Sequence, residues 1–189
     1  GAEIQVPWLP HSELPLVEAR VNGTVGYFLL DTGVGETLID PALARVAGLR
    51  PLGVEAIHFP SGPAGRVEHT VIDALGLGEV SVERVPAHVH PTRDVFANLL
   101  PFQVDGILGV GLFSRIPTTL DYVGRQLRMG AAERTADGVP FYLAGDQYPL
   151  VRTRINDRLD TLLFLDTGMI GAAIGLPFSS AEEAEVEVA

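Results

Sequence analysis

Twice in this chain an apolar run ends in Asp-Thr-Gly: "FLLDTG" closes at Gly33 and "LFLDTG" at Gly168. An ionised carboxylate is costly to bury at the end of an apolar strand. Two of them side by side can share one proton, so that one acts as acid and the other as base at the same pH. A water held between them can lose a proton to one carboxylate while the other protonates the carbonyl under attack. Such chemistry needs neither a metal nor a covalent nucleophile. Glycine after Asp-Thr lets two loops approach backbone to backbone, and a threonine hydroxyl can hydrogen-bond across to the opposite loop. A single Asp-Thr-Gly reads as an ordinary turn tripeptide; a second copy in a matched context favours chemistry.

The elements that must position these residues are repeated with them. "PLVEARVNG" from Pro15 lines up with "PLVRTRIND" from Pro149, with Pro, Leu, Val, Arg and Asn at equal spacing. In the first copy Val17, Ala19 and Val21 alternate with Glu18 and Arg20, and Asn22-Gly23 is a tight-turn signal before an apolar return strand. In the second, Asn156-Asp157 falls at the turn, and one added residue brings Asp166 into line with Asp31. The unit is therefore a strand, a turn, an apolar strand and Asp-Thr-Gly. The second copy is followed only by a short stretch ending in "SSAEEAEVEVA", an acidic tail with weak structure signals. The expectation is one complete lobe over residues 1–130, a turn-rich linker over 131–147, and over 148–189 the start of a second lobe that is cut short.

Composition narrows the function. The chain has 189 residues, is 47% hydrophobic and 20% charged, and carries a formal net charge of -11. That is enough apolar material for a core, and the charge argues against a nucleic-acid partner, which is held by neutralising its phosphates. All 13 basic residues are arginine, which excludes a P-loop lysine and a Schiff-base enzyme. There is no cysteine, hence no disulfide, thiol nucleophile or thiolate metal site. No apolar stretch approaches the ~20 residues that span a bilayer. Gly1-Ala2 reads as an artificial start. The compartment is not legible; removal of a leader would point to the periplasm or to export from a bacterium.

Short apolar segments with 21 Gly and 14 Pro spread throughout have the texture of an all-β protein. Residues 40–49 are expected as a short helix, with Asp40 as N-cap, Pro41 at the first position and Gly48 as the stop. Residues 57–72 are expected as two strands around a Gly/Pro/Ser loop, followed by further strands over "LGEVSVERVPAHVHP". "VDGILGVGLFSRI" reads as strand, turn and short helix, and "TTLDYVGRQLRM" as a closing strand pair.

Together "FLLDTG", "DPALARVAGL" and "VDGILGVGLF" resemble the aspartic peptidases, and most closely the bacterial retropepsin-like group. The likeness covers nearly all of residues 14–130 and then 148–175. It implies an all-β fold: a closed-barrel retropepsin-like lobe with short helices, plus the N-terminal part of a second, similar lobe. It implies that Asp31 and Asp166 are catalytic and that Thr32, Gly33, Thr167 and Gly168 position them. Residues 59–65 would be the flap that closes over an extended peptide, with Phe59, Ser61 and Gly62 as substrate-binding residues and the glycines allowing movement. The family usually carries Ser or Thr two residues after the glycine, bonded to the catalytic carboxylate; here those positions are Gly35 and Ile170.

Other residues carry less. His88 and His90 share one face of a strand at a metal-compatible spacing, but no third ligand is evident, and exposed or hydrogen-bonded histidines are the better reading. "GILGVG" has the reverse of the dinucleotide-binding glycine order. Trp8 reads as an anchor or interface residue. The expected function is hydrolysis of an extended peptide or unfolded protein by a water activated between two aspartates, without cofactor or metal. The alternative is a retropepsin-like scaffold for peptide binding or dimerisation, its chemistry weakened at Gly35 and Ile170. The dyad can form from Asp31 and Asp166 in one chain, or from Asp31 of two chains in a homodimer through the active-site face.

Overall fold

The computed structural model describes residues 3–57, 65–130, 137–145, 148–170 and 180. Asn22 and Gly23, both at positive φ (48° and 86°), make the two-residue turn between β2 (Leu16–Val21) and β3 (Thr24–Leu30). A short strand β1 (Ile4–Pro7), not foreseen from the sequence, precedes them. After β3 come β4 (Thr37–Ile39) and helix α1 (Pro41–Val46), in which Asp40 accepts from Ala42 N at 2.9 Å and Pro41 opens the first turn. Strands β5 (Gly53–Ile57), β6 (Gly65–Leu77) and β7 (Val80–Val89) follow, then α2 (Thr92–Phe96), β8 (Gly106–Leu108) and α3 (Val110–Phe113).

Hydrogen bonding runs β2-β3-β8-β4-β7-β6, and β6 pairs back to β2 at Arg20↔Gly76 and Val21↔Leu75. Six strands therefore close a barrel, with β5 added outside β6. Closure removes the open edges that a flat sheet would expose. Strands β9 (Thr118–Asp121) and β10 (Gln126–Met129) form the closing pair, and β1 joins them in a separate three-stranded sheet. The fold class is all-β.

The strand that leads to Asp31 is covered on both faces. Phe28 and Leu30 belong to the main core with Val17, Ile39, Ile72 and Leu108, whereas Leu29 joins a second cluster with Leu16, Leu38, Phe96, Val104 and Ile107. This double burial explains why "FLL" is a continuous apolar run instead of an alternating one. The neighbouring strand β8 lies parallel to β3, with Leu29 opposite Ile107 and Leu30 opposite Leu108. The buried Asp105 anchors it there: its carboxylate accepts from Tyr27 N at 2.9 Å, Arg93 Nε at 2.8 Å and Gln103 Nε2 at 2.7 Å.

A third sheet holds β11 (Phe141–Ala144), β12 (Tyr148–Ile155) and β13 (Leu159–Phe164). The β12–β13 hairpin turns at Asn156 and Asp157, both at positive φ (49° and 55°), with Ile155 opposite Leu159. The residue by which this repeat exceeds the first is thus spent in a three-residue turn. β11 lies inside the segment expected as linker: "FYLA" carries strand-favouring side chains and pairs with β12 in register Phe141↔Val151. The short helix α2 was likewise not foreseen. Trp8 is buried in the core, edge-on to Tyr122 at 5.0 Å between ring centres, and is an internal anchor.

Gly106 tests the barrel's packing. A Cβ there would overlap the Phe28 ring and the Leu38 carbonyl. Gly106→Ala should cost about 1–3 kcal/mol, the usual range for overpacking a tight core. Urea denaturation reads this as a lower midpoint, and an unchanged midpoint would contradict the packing described.

Candidate active site

Asp31 follows β3 directly, and its backbone N–H donates to Leu108 O at 3.0 Å. The turn after it is stitched to α3's start: Val110 N donates to Val34 O at 2.9 Å and Gly111 N to Gly35 O at 2.7 Å. Gly109 sits directly against the carbonyls of Val34 and Glu36, where a Cβ would not fit. "Ile-Leu-Gly" thus closes the loop around the Asp-Thr-Gly turn. Asp166 follows β13, two residues beyond Phe164, and Leu165 N donates to Pro149 O at 2.9 Å as Leu30 N does to Pro15 O at 2.9 Å.

The two turns meet through their threonines. Thr32 N donates to Thr167 Oγ1 at 3.0 Å, and Thr167 N donates to Thr32 Oγ1 at 3.1 Å. Each hydroxyl then donates to the carbonyl that precedes the other aspartate, Thr32 Oγ1 to Leu165 O at 2.5 Å and Thr167 Oγ1 to Leu30 O at 2.8 Å. The arrangement is reciprocal, and both hydroxyls use a donor and an acceptor function. Each aspartate also accepts from the glycine of its own turn, Asp31 from Gly33 N at 2.6 Å and Asp166 from Gly168 N at 2.9 Å. Each glycine lies against the other carboxyl: a Cβ on Gly33 would fall 2.7 Å from Asp166 Cγ, and one on Gly168 would overlap Asp31.

Asp31, Thr32, Gly33, Asp166, Thr167 and Gly168 are therefore together. Phe59, Ser61 and Gly62 lie outside the described residues. Gly35 offers only its backbone carbonyl to Gly111, and Ile170 packs against the second apolar cluster. His88 and His90 do not join the carboxyls: His88 faces Glu36 and Glu55, while burial pushes the His90 ring down, against the pull of Asp40. Among the described residues no group of three His, Asp or Glu is placed to hold a metal ion.

Asp31 is buried at 7% exposure and Asp166 is half-buried. Burial first, and the negative charge of Asp166 second, push the Asp31 carboxyl up from 3.8 to about 7, against the pull of the Gly33 and Gly168 amides. One proton thus stays on the pair over a pH range in which an ordinary carboxyl is ionised. Tyr122, which the sequence did not single out, has its phenol pushed up by burial and by the charges of Asp166 and Asp31. It lines an apolar cleft of about 690 Å³ with Phe113, Leu120, Phe141, Leu165 and Asp166. No sequence signal marked that cleft, because its residues come from segments far apart in the chain.

Comparison with known proteins places this site in context. The family model described as aspartyl protease matches residues 17–112, just over half of the chain. Among solved structures the chain is similar to a retropepsin-like aspartic protease from Rickettsia conorii, at 16% identity and a TM-score of 0.45, over 68% of this chain and 89% of that one. No curated protein sequence matches it.

Two outcomes follow from the geometry. Thr167→Val removes one hydroxyl and strands Thr32 N and Leu30 O, so it should destabilise the protein by about 1–3 kcal/mol, whereas Thr167→Ser should keep most of the stability; denaturation of both variants decides. Asp31, raised when folded, binds its proton more tightly in the native state. Its contribution to stability is therefore greatest below about pH 4 and falls as pH rises toward 7. Asp31→Asn should accordingly raise the melting temperature at pH 7, by a gain of order 1–4 kcal/mol that vanishes near pH 4. A gain independent of pH would refute the shift.

Proposed function

Because the chain belongs to the aspartyl protease family, we propose that it hydrolyses peptide bonds with Asp31 and Asp166 as an intrachain catalytic pair. The observation that supports this most is the reciprocal threonine exchange, which joins the two Asp-Thr-Gly turns, together with the raised carboxyl of Asp31 beside Asp166. Asp31, the buried member, starts with the proton, and Asp166 starts ionised. Water attacks the carbonyl carbon, giving a proton to Asp166, while Asp31 gives its own to the carbonyl oxygen. The tetrahedral diol then returns a hydroxyl proton to Asp31 as Asp166 protonates the amide nitrogen. The C–N bond breaks, and acid and amine leave with the dyad restored. No covalent intermediate forms, and one water is consumed per bond.

The substrate is an extended peptide or unfolded segment, because only an extended chain presents its backbone carbonyl to a recessed carboxyl pair. The β11–β13 sheet is read as the beginning of a second lobe whose role is to supply Asp166. Its large exposed side chains, among them Phe141, Tyr142 and Leu162, support that reading, since they need cover that the described residues do not provide. The second reading, a peptide-binding scaffold, draws on Gly35 and Ile170, neither of which has a side-chain donor for a carboxylate.

Cleavage of denatured casein, followed across the acid to neutral range, separates these readings. Activity should fall as pH rises through about 7, where Asp31 loses its proton. Asp31→Asn and Asp166→Asn should each lower kcat/KM by ~10²–10⁴-fold. An active Asp166→Asn variant would transfer the pairing to Asp31 of two copies in a homodimer. Absence of cleavage by the unsubstituted protein at every pH would favour the scaffold.

A further inference from the structure

A chain of four ionisable groups drawn from four segments starts in the loop after the Asp31 turn. His88 on β7 is buried, its side chain 8% exposed, and both ring nitrogens face carboxylates. Nδ1 is 3.1 Å from Glu36 Oε2, and Nε2 is 3.3 Å from Glu55 Oε2. Glu36 belongs to the loop that leaves the Asp-Thr-Gly turn, three residues after Gly33. Glu55 lies on β5, the strand that leads into residues 58–64. The other oxygen of Glu55 is 3.6 Å from Nδ1 of His69, the direct cross-strand partner of His88 on β6. Gly53 leaves room for the His69 ring, since a Cβ there would come within 2.9 Å of Cε1.

Hydrogen-bond accounting constrains the ring. A neutral imidazole has one donor and one acceptor, whereas an ionised carboxylate only accepts. Both contacts are satisfied together only when both His88 nitrogens carry hydrogen. With one proton gone, one contact sets lone pair against lone pair. Each glutamate is about half exposed, at 46% and 55%, and a surface ion pair alone contributes little. A buried cation shared between both is the stronger arrangement.

We propose that His88 is a proton-dependent clip that ties the loop after the Asp31 turn, through Glu36, to strand β5, through Glu55. It is a positioning residue and touches no reacting atom. The clip closes while the ring holds both protons and opens when it loses one. The remaining groups around His88 are accounted for. On β6, His69 Nδ1 lies 3.6 Å from Glu55 Oε1, beyond hydrogen-bond reach, and is buried without a hydrogen-bond partner among the described residues, while Thr70 donates to Arg50 O at 2.8 Å. On β4 the in-register neighbour is the apolar Leu38. Arg115, after α3, lines a cleft of about 170 Å³ with Glu36 but donates to Arg84 O at 3.3 Å. His90 is coupled to Asp40.

The consequence for turnover rests on the dyad reading, but the clip itself is measurable without turnover. Amide hydrogen exchange is followed in an Asp31→Asn background, which removes the raised titration of Asp31. Rates corrected for intrinsic pH dependence are compared at about pH 5.5 and about pH 8.5, either side of the ordinary histidine range. Exchange over residues 34–37 and over Gly53–Ile57 should become about tenfold faster at the higher pH, as expected for loss of a charged hydrogen bond. Nitrogen-15 spectra should show the His88 ring losing a proton over the same interval. Glu36→Gln should loosen residues 34–37 at the lower pH and leave β5 protected, and Glu55→Gln the reverse. His88→Phe should leave both segments fast at both pH values. If it fails to fold, the two glutamate variants, altered at half-exposed side chains, still decide. Exchange indifferent to pH, a pH step that survives His88→Phe, or glutamate variants that change neither segment would overturn the clip.

Discussion

Two carboxylates repel each other, and this structure depends on forcing them together. The exchange of hydrogen bonds between Thr32 and Thr167 does so without touching either carboxyl. Each threonine binds the backbone of the opposite turn and the carbonyl just before the opposite aspartate. The carboxyls are thereby positioned by backbone, which is stiff, and not by their own flexible torsions. Asp31 is raised so far above an ordinary aspartate first because it is buried and then because the charge of Asp166 lies beside it.

A grip of this kind needs rigid mounts. On the first side the mount is β3, buried on both faces and paired to β8, with Asp105 drawing three donors to fix the pair. On the second side it is the β12–β13 hairpin, whose side chains are half-buried or exposed over most of their length. The two halves therefore contribute unequally to rigidity. Ile170 partly redresses this by packing against the cluster of Leu16, Leu29 and Ile107, so that it serves as an apolar anchor between the halves.

The surroundings of the turn extend the same logic of sharing. Asp31 and Asp166 lie close enough for the charge of one to raise the other, and Glu36 and Glu55 both approach the ring of His88. In both cases two carboxyl groups are drawn toward one small site. With a net charge of -11 and 13 arginines, the protein has fewer cations than carboxylates, so protons and buried donors must do part of the neutralising.

The sequence by itself determined the local structure wherever chemistry and spacing sit in one segment. The Asn22-Gly23 turn, the Asp40–Pro41 helix start, the strand and helix over Gly106 to Phe113, and the two matched hairpins follow from nearest-neighbour preferences that any short peptide would share. Asp31 and Asp166 were legible for the same reason, each standing at the end of an apolar run beside Thr and Gly. Strands β1 and β11 were missed because both are four residues long and acquire their conformation from partners, β10 and β12. Only the tertiary structure decided that Thr32 meets Thr167, that Asp31 carries the raised carboxyl, and that His88 faces Glu36 and Glu55. Those facts depend on distances between residues far apart in the chain and on how completely each is withdrawn from water. Neither quantity exists until the barrel closes and the second hairpin docks.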